Sequence, residues 1–69
     1  MVQIFKTDVT DNGLAQYLVA YMSRHMPDTK INFDLADKDN ILRLESTKIC
    51  VEKVKKFMAD AGRVCEAFE

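Results

Sequence analysis

Few side chains in this sequence could bind a soft metal ion or act as nucleophiles. The chain has one histidine, His25, two cysteines, Cys50 and Cys65, and four methionines. Thiolate and thioether groups are the ligands that soft ions such as Cu(I) select. Two candidate ligand sets follow. One is Cys50 with Cys65, and the other is Met22, His25 and Met26, which lie on a single turn of a predicted helix.

Both candidate sets have a simpler structural interpretation. The chain has no CxxC pair, and Cys50 and Cys65 are fifteen residues apart. Free cysteines in small domains are usually small buried hydrophobic residues, and we expect Met22 to pack in the core with Met26 at its edge. A disulfide scaffold would normally carry several cysteine pairs. We therefore predict no metal ion, no other cofactor and reduced thiols, with a Cys50–Cys65 disulfide as the alternative.

The sequence contains no recognisable catalytic motif. A hydrolase-type nucleophile needs Ser or Cys beside a histidine and an orienting acid. The single histidine, His25, falls at the predicted C-terminal end of a helix, where a partial positive charge is favourable. Gly13 and Gly62 are isolated, so the chain has no glycine-rich phosphate-binding loop. We predict that the protein is not an enzyme.

The composition predicts one small globular domain, residues 1–69. Hydrophobic residues make up 48% of the chain and charged residues 30%, and ten basic against eleven acidic residues give a net charge of −1. Binding to nucleic acid or to a membrane surface needs an excess of Lys and Arg on one face, so we expect neither. The N-terminus lacks the order of a signal peptide, and no apolar run is long enough to span a membrane. We expect a cytoplasmic protein.

The segment Lys30–Ser46 has the pattern of a β-hairpin. Apolar and polar residues alternate in both halves of the segment, and the Asp- and Asn-rich residues 36–40 between them favour a turn. The alternating apolar residues are Ile31, Phe33, Leu35, Leu42 and Leu44.

A strand and a helix precede the hairpin. The strand is predicted at residues 1–7 and the helix at about 11–26, where Thr10 or Asp11 would cap its start and Pro27 would end it. Apolar and amphipathic residues fall on one stripe of this helix at the spacing of an amphipathic helix. They are Leu14, Leu18, Tyr21, Met22 and His25.

A second helix and a last strand follow the hairpin. Ser46 or Thr47 would cap the helix, Gly62 would end it, and the last strand would run over 63–68. The order strand, helix, strand, strand, helix, strand predicts an α+β, ferredoxin-like βαββαβ sandwich. In that fold a four-stranded antiparallel sheet has two helices on one face.

The sheet face that the helices leave open is the best candidate surface for a partner. The alternation predicts that Ile4, Ile31, Phe33, Leu42 and Leu44 face the helices. The open face would then carry Gln3, Phe5, Asn32, Asp34, Ile41, Arg43 and Glu45. We predict that Phe5, Ile41 and Arg43 contact an unknown protein partner, with self-association through the sheet face or edge as the alternative. A single aromatic residue among balanced charges is unlike a sheet that binds single-stranded nucleic acid.

The whole pattern resembles the heavy-metal-associated domain, the small ferredoxin-like module of copper chaperones and metal-pumping ATPases. The resemblance covers nearly the full chain and is clearest in residues 31–46, INFDLADKDNILRLES, and 51–62, VEKVKKFMADAG. Members of that family also follow a hairpin with a helix that ends in an acidic–Ala–Gly segment. Leu18, Met22 and Pro27 match the family's spaced apolar residues and its helix-ending proline, with one extra residue before the proline. The resemblance implies the same fold.

The resemblance does not extend to the family's metal site. That site is a Met-Thr-Cys-x-x-Cys segment between the first strand and the first helix, and the matching segment here is Val9–Leu14, VTDNGL. Thr10 is kept, but Asp11 and Leu14 stand at the two cysteine positions. A carboxylate is a poor ligand for a soft ion and a leucine side chain is no ligand at all. None of the family's metal ligands carries over.

Two functions remain as hypotheses. The first is a non-catalytic protein-interaction domain that derives from a metal-binding domain and has lost its metal site. The second is a noncanonical copper- or zinc-binding or trafficking protein. It would use Cys50 with Cys65, or Met22 with His25 and Met26.

Overall fold

The structure, a computed structural model, describes residues 1–68. Its helices and strands follow one another in the predicted order. They are β1 (Val2–Thr7), α1 (Asn12–His25), β2 (Lys30–Asp34), β3 (Ile41–Glu45), α2 (Val51–Asp60) and β4 (Cys65–Ala67).

The four strands form one antiparallel sheet in the order β2-β3-β1-β4. Leu42 in β3 lies opposite Phe5 in β1 and opposite Phe33 in β2. On the other side of β1, Thr7 lies opposite Cys65 in β4. The strands β1 and β3 are therefore central, and β2 and β4 are the edges. This confirms the predicted α+β, ferredoxin-like βαββαβ arrangement.

The hydrophobic core lies between one face of the sheet and the two helices. Residues that are directly opposite in an antiparallel pair share a face, and the buried strand residues all lie on the same face. The helices contribute their buried stripes to it. The core consists of Phe5, Val9, Ala15, Leu18, Met22, Ile31, Leu42, Leu44, Val54, Met58 and Cys65. Both helices therefore cover one face of the sheet, as predicted.

The prediction of which β1 side chains face the helices is wrong by one residue. Phe5 is 0% exposed and belongs to the core, whereas Ile4 is only partly buried and faces away from the helices. Ile4 and Phe5 are adjacent apolar residues, so the alternation in VQIFKT fits either phase. A shift of one residue moves every side chain of a strand to the other face. Phe5, which lies opposite the buried Leu42, provides the larger side chain for the core.

The first helix and the hairpin turn form as predicted. The helix ends at His25, and the N–H of Met26 donates to the carbonyl of Met22 at 2.8 Å. In the connection between β2 and β3, the N–H of Ala36 donates to Asp34 Oδ1 at 3.2 Å. The N–H of Asp39 donates to Oδ1 of Asp37 at 2.9 Å. These aspartates close the turn through local side-chain hydrogen bonds.

The second helix begins later than predicted. It starts at Val51 with Cys50 at the N-cap, and no side chain caps it. Ser46 was predicted as a cap, but its N–H donates to the carbonyl of Met1 at 3.0 Å. This bond continues the pairing of β3 with β1, so Ser46 stays with the sheet. The prediction that Ser46 or Thr47 caps α2 is therefore wrong.

The end of α2 agrees with its predicted boundary. Gly62 has φ +75°, in the left-handed region that often ends helices. The N–H of Arg63 donates to the carbonyl of Met58 at 2.9 Å. The final strand is shorter than the predicted 63–68. Over residues 1–68, neither helix has the length and apolar character that a membrane-spanning helix needs.

Candidate functional site

The segment Val9–Leu14, where the resembling family has its metal ligands, is held by structural hydrogen bonds. Asp11 is the N-cap of α1, and its Oδ2 accepts a 2.8 Å hydrogen bond from the N–H of Leu14. Val9 is buried, and its N–H donates to Oγ1 of Thr7 at 3.2 Å. Leu14 packs against the core. These contacts form the start of a helix, and Asp11 has the capping role that the sequence predicts.

The two residues just before this segment form hydrogen bonds with neighbouring loops. Asp8 Oδ1 accepts a 3.0 Å bond from the N–H of Val64, just before β4. The hydroxyl of Thr7 donates to the carbonyl of Asn40 at 2.6 Å, just before β3. Throughout residues 1–68, no three or more His, Cys, Asp or Glu side chains are grouped so that they could hold a metal ion.

His25 lies at the C-terminal end of α1 and contacts aromatic residues of both helices. Its ring centroid is 4.9 Å from that of Tyr21 and 5.3 Å from that of Phe57 in α2. The rings of Tyr21 and Phe57 are also in edge-to-face contact at 5.6 Å. Such aromatic pairs stabilise packing beyond the area that they bury. His25 therefore helps to join the outer surfaces of the two helices.

The structure separates the residues of the methionine–histidine set. Met22 is 0% exposed in the core, whereas His25 is exposed and Met26 is partly buried. A thioether that has no contact with solvent is not positioned to share an ion with an exposed imidazole. The set of Met22, His25 and Met26 therefore does not form one site.

The two cysteines lie at opposite ends of α2. Cys50 is exposed at the start of α2, and Cys65 is buried beyond the end of that helix. A ten-residue helix spans about 15 Å, whereas a disulfide needs Cα atoms within about 7 Å. The structure therefore places Cys50 and Cys65 apart, which contradicts the alternative that paired them as metal ligands or as a disulfide. The separation follows from their positions, because Cys50 precedes α2 and Cys65 follows it.

The thiol of Cys65 is protonated near neutral pH. Burial raises its pKa from 9.0 to about 11, and Glu66 adds to this increase while Lys55 opposes it. The thiolate is the form that attacks electrophiles and binds metal ions. Cys65 is therefore a structural residue at physiological pH.

Three residues from the two candidate ligand sets line one concavity, which spacing along the sequence does not indicate. His25 and Met26 at the end of α1 line the same concavity as Cys50 at the start of α2. The concavity has a volume of about 390 Å³. It contains an imidazole, a thioether and a thiol, taken from both of the sets that the sequence suggested.

Another concavity lies on the open face of the sheet. It has a volume of about 530 Å³ and an apolar floor that includes Ile4, Ile41 and Phe68, with Arg43 among them. We call these four residues the open-face patch. Ile41 and Arg43 lie on the predicted face, whereas Phe5 points to the core on the other side of the sheet. The prediction that Phe5 belongs to a partner surface is wrong.

Charged groups surround the open-face patch unevenly. Asp34, Asp37 and Asp39 lie along the side where β2 turns towards β3. In β1, beside Ile41, the Nζ of Lys6 is 5.5 Å from the centroid of the Phe68 ring, a cation–π contact. The patch therefore has an acidic rim at the β2–β3 turn and a basic group against its aromatic ring.

Ile4 and Phe68 belong to this patch, although the sequence did not predict them there. Phe68 follows β4, and its N–H donates to the carbonyl of Ile4 at 2.7 Å. Residues 65 and 68 are an odd number of positions apart, so the alternation of an extended chain places Phe68 and Cys65 on opposite faces of the sheet. A buried Cys65 would have identified Phe68 as an open-face residue. For Ile4, the sequence carries no signal that decides between the two phases of β1.

No family model, no curated protein and no solved structure matches the chain.

Proposed function

We propose that this protein is a non-catalytic interaction domain that binds a partner protein through the open-face patch. The observation that carries the proposal is the concavity of about 530 Å³ on the sheet face opposite the helices. Its apolar floor holds Ile4, Ile41 and Phe68, and Arg43 lies among them.

The composition of the patch is that of an interface centre. Aromatic residues and arginine are enriched in protein interfaces and supply much of their binding energy when they become buried. Phe68 is 41% exposed and Arg43 is also exposed, so both lose contact with water when a partner covers the face. The patch combines an aromatic ring, two branched aliphatic side chains and a guanidinium group.

The charges around the patch define the partner segment that suits it. Arg43 is positioned to pair with a carboxylate, in the bidentate geometry that arginine favours. Asp34, Asp37 and Asp39 favour a basic group on the other side of the concavity. The matching segment has an apolar side chain for the floor, an acidic residue beside it and a basic residue towards the β2–β3 turn.

The segment Val9–Leu14 supports a function without the chemistry of the resembling family. Asp11 caps α1 and Leu14 packs against the core, so both positions have structural roles. We infer that the domain derives from a metal-binding ancestor whose ligand loop became a helix start.

The experiment is a quantitative affinity capture with single substitutions on the patch. Arg43→Glu and Phe68→Ser each change the open face, and Arg24→Glu is the matched control because Arg24 is an exposed residue of α1. We expect a set of proteins that the wild type and Arg24→Glu capture and that both patch variants lose. A captured protein is then added to isotope-labelled domain, and its NMR shifts should map to the open face. If the patch variants capture the same proteins as the wild type, the proposal is wrong.

A second candidate function is soft-metal binding, and the shared concavity of His25, Met26 and Cys50 favours it. A thiol, an imidazole and a thioether are suitable ligands for Cu(I), whereas zinc would use the first two. This candidate replaces the two ligand sets that the structure separates.

Titration of reduced protein with Cu(I) tests the second candidate. If it is correct, Cys50→Ser abolishes binding and His25→Ala weakens it, while Cys65→Ser, which removes the buried thiol, leaves it unchanged. Saturable binding that survives in Cys50→Ser would contradict this site. The same titration is independent of the open-face patch, so the two candidates are tested separately.

A further inference from the structure

Among residues 1–68, the strand β2 is an edge of the sheet and leaves one side of its backbone unpaired. In the order β2-β3-β1-β4, the only strand hydrogen-bonded to it is β3. It is also the longer of the two edges, with five residues against three in β4. Unpaired edges are sites where a further strand can add to a sheet.

The hydrogen bonds of the sheet show which β2 residues direct their backbone outwards. The N–H of Ser46 donates to the carbonyl of Met1, and the N–H of Phe68 donates to that of Ile4. Odd-numbered residues of β1 therefore bond to β3, and even-numbered residues bond to β4, because backbone groups alternate along a strand. By the same alternation, the backbone groups of Ile41, Arg43 and Glu45 in β3 form their hydrogen bonds with β2. Their partners are Asp34, Asn32 and Lys30.

Ile31 and Phe33 consequently direct their N–H and C=O groups to the free edge. Their side chains point to the helix side, where a groove of about 410 Å³ lies between α1 and β2. Val19 and Ala20 of α1 also line this groove. The edge thus offers two residues of free backbone and an apolar strip beside them.

We propose that two copies of the chain pair through β2 in antiparallel orientation, with the twofold axis at Asn32. In this register Ile31 of one copy exchanges both backbone hydrogen bonds with Phe33 of the other, which gives four bonds across the interface. The Ile31 and Phe33 side chains meet on the helix side. The two sheets become one continuous eight-stranded sheet.

Charge selects this register. Lys30 and Asp34 are exposed, and in the proposed pairing each lies directly opposite the other residue in the second copy. Cross-strand pairs of opposite charge stabilise a sheet, and like charges destabilise it. A shift of two residues one way puts Asp34 opposite Asp28, and a shift the other way puts Lys30 opposite Ala36. Of these three registers, only the one centred at Asn32 gives two complementary pairs.

Within its own chain, Lys30 lies opposite Glu45, and Asp34 lies opposite Ile41. Lys30 therefore has a carboxylate on each side in the paired state. The edge pairing goes beyond the proposed function, since it uses the rim of the sheet and not the open-face patch. Substitutions at Arg43 and Phe68 are expected to leave it intact.

The experiment is sedimentation of the full chain and of charge variants from about 10 µM to about 1 mM. We expect the wild type to shift from monomer towards dimer over this range. Lys30→Glu and Asp34→Lys each create two like-charge pairs and should remain monomeric. An equimolar mixture of these two variants has complementary pairs at both positions and should form heterodimers. The double variant Lys30→Glu/Asp34→Lys should recover self-association.

Lys56→Glu and Asp60→Lys serve as matched controls, because they make the same changes of charge at exposed positions of α2. We expect both controls to dimerise like the wild type. Circular dichroism establishes that each variant is folded, and the mixture provides a result even if a single variant is less stable. A wild type that stays monomeric at about 1 mM would overturn the proposal. A mixture that remains monomeric while the wild type dimerises would overturn this register.

Amide hydrogen exchange locates the contact independently of the charge variants. At high concentration the N–H groups of Ile31 and Phe33 should exchange more slowly than in dilute protein, with no such change at Val2 or Lys6. Concentration-dependent protection elsewhere, with none at Ile31 and Phe33, would contradict pairing at this edge.

Discussion

Asp11 has a structural role at the start of α1. Its carboxylate accepts the N–H of Leu14 at 2.8 Å and satisfies one of the free donors in the first turn of α1. We expect Asp11→Ala to lower the free energy of unfolding by about 1 kcal/mol. Chemical denaturation measures this change.

Asp11→Asn and Thr10→Ala are the controls for this prediction. Asparagine keeps an oxygen acceptor but loses the charge that interacts with the helix dipole, so its cost should be smaller. Thr10 is exposed next to Asp11, and no hydrogen bond of its side chain is seen in residues 1–68. If Asp11→Ala costs no more than Thr10→Ala, the cap does not stabilise the helix.

Cys65 makes stability depend on pH in the alkaline range. Its pKa is about 11 in the folded protein, compared with 9.0 for the ordinary thiol, because burial disfavours the thiolate. Between these values the unfolded chain loses the proton and the folded chain retains it. Stability should therefore be unaffected below pH 9, decrease from about pH 9 to about pH 11, and level off above that, with a total loss of up to about 2 kcal/mol.

Denaturation of the wild type and of Cys65→Ala at several pH values measures this contribution. Every other ionisable group is common to both proteins, so the difference between the two curves isolates the thiol. The difference should shrink as the pH rises from 9 to 11. A difference that does not change with pH would contradict the raised pKa.

Gly62 determines how α2 ends. Its φ of +75° is strained for residues with a Cβ atom, yet a Cβ placed there would have no neighbour within 4 Å. Gly62→Ala therefore tests backbone conformation without a steric clash. We expect a loss of about 1 to 2 kcal/mol in the free energy of unfolding. Thermal denaturation measures it.

Gly62→Asn distinguishes this explanation from a general effect of any side chain. Asparagine adopts the left-handed region more readily than alanine, so Gly62→Asn should be the more stable of the two variants. The opposite order would mean that the positive φ is not the source of the cost.

The elements could be predicted from the sequence where local signals agree. The alternation in Lys30–Ser46 and the proline and glycine at the ends of the helices are such signals, and the structure confirms the hairpin and both helix ends. The start of α2 could not be predicted in this way. Ser46 looks like a cap, but its N–H donates to the carbonyl of Met1, from the other end of the chain, and this bond keeps it beside the end of β3. That contact is non-local and leaves no pattern in the sequence.

The residues of the open face could likewise be predicted where local alternation is clear, but not where contacts distant in sequence decide. Ile41 and Arg43 were predicted on the open face because their strand alternates cleanly. Ile4 and Phe5 are adjacent apolar residues, and only packing against the buried Leu42 decides which of them faces the helices. The concavity that includes Phe68 also depends on the pairing of β4 with β1, which connects residues from opposite ends of the chain.

The phase of β1 has a consequence for the stability of the whole molecule. A 69-residue domain has a free energy of unfolding of roughly 3 to 10 kcal/mol. Truncation of a fully buried phenylalanine costs about 3 to 5 kcal/mol. We therefore expect Phe5→Ala to be largely unfolded or close to it, whereas Ile4→Ala should remain folded with a much smaller loss. Circular dichroism and urea denaturation compare the two variants. Equal losses would contradict the assignment of Phe5 to the core and Ile4 to the open face.

Pairing of two copies through β2 would make the stability of the molecule depend on its concentration. A dimer that dissociates when it unfolds gains about 1.4 kcal/mol per mole of dimer for each tenfold increase in protein concentration. We expect the Tm of the wild type to rise with concentration wherever sedimentation finds dimer, and the Tm of Lys30→Glu to stay constant. Lys56→Glu should follow the wild type because its charge change lies on α2. Since Arg43 lies on the open face, Arg43→Glu should follow the wild type as well. A Tm that rises equally in Lys30→Glu would mean that the copies associate through a surface other than this edge.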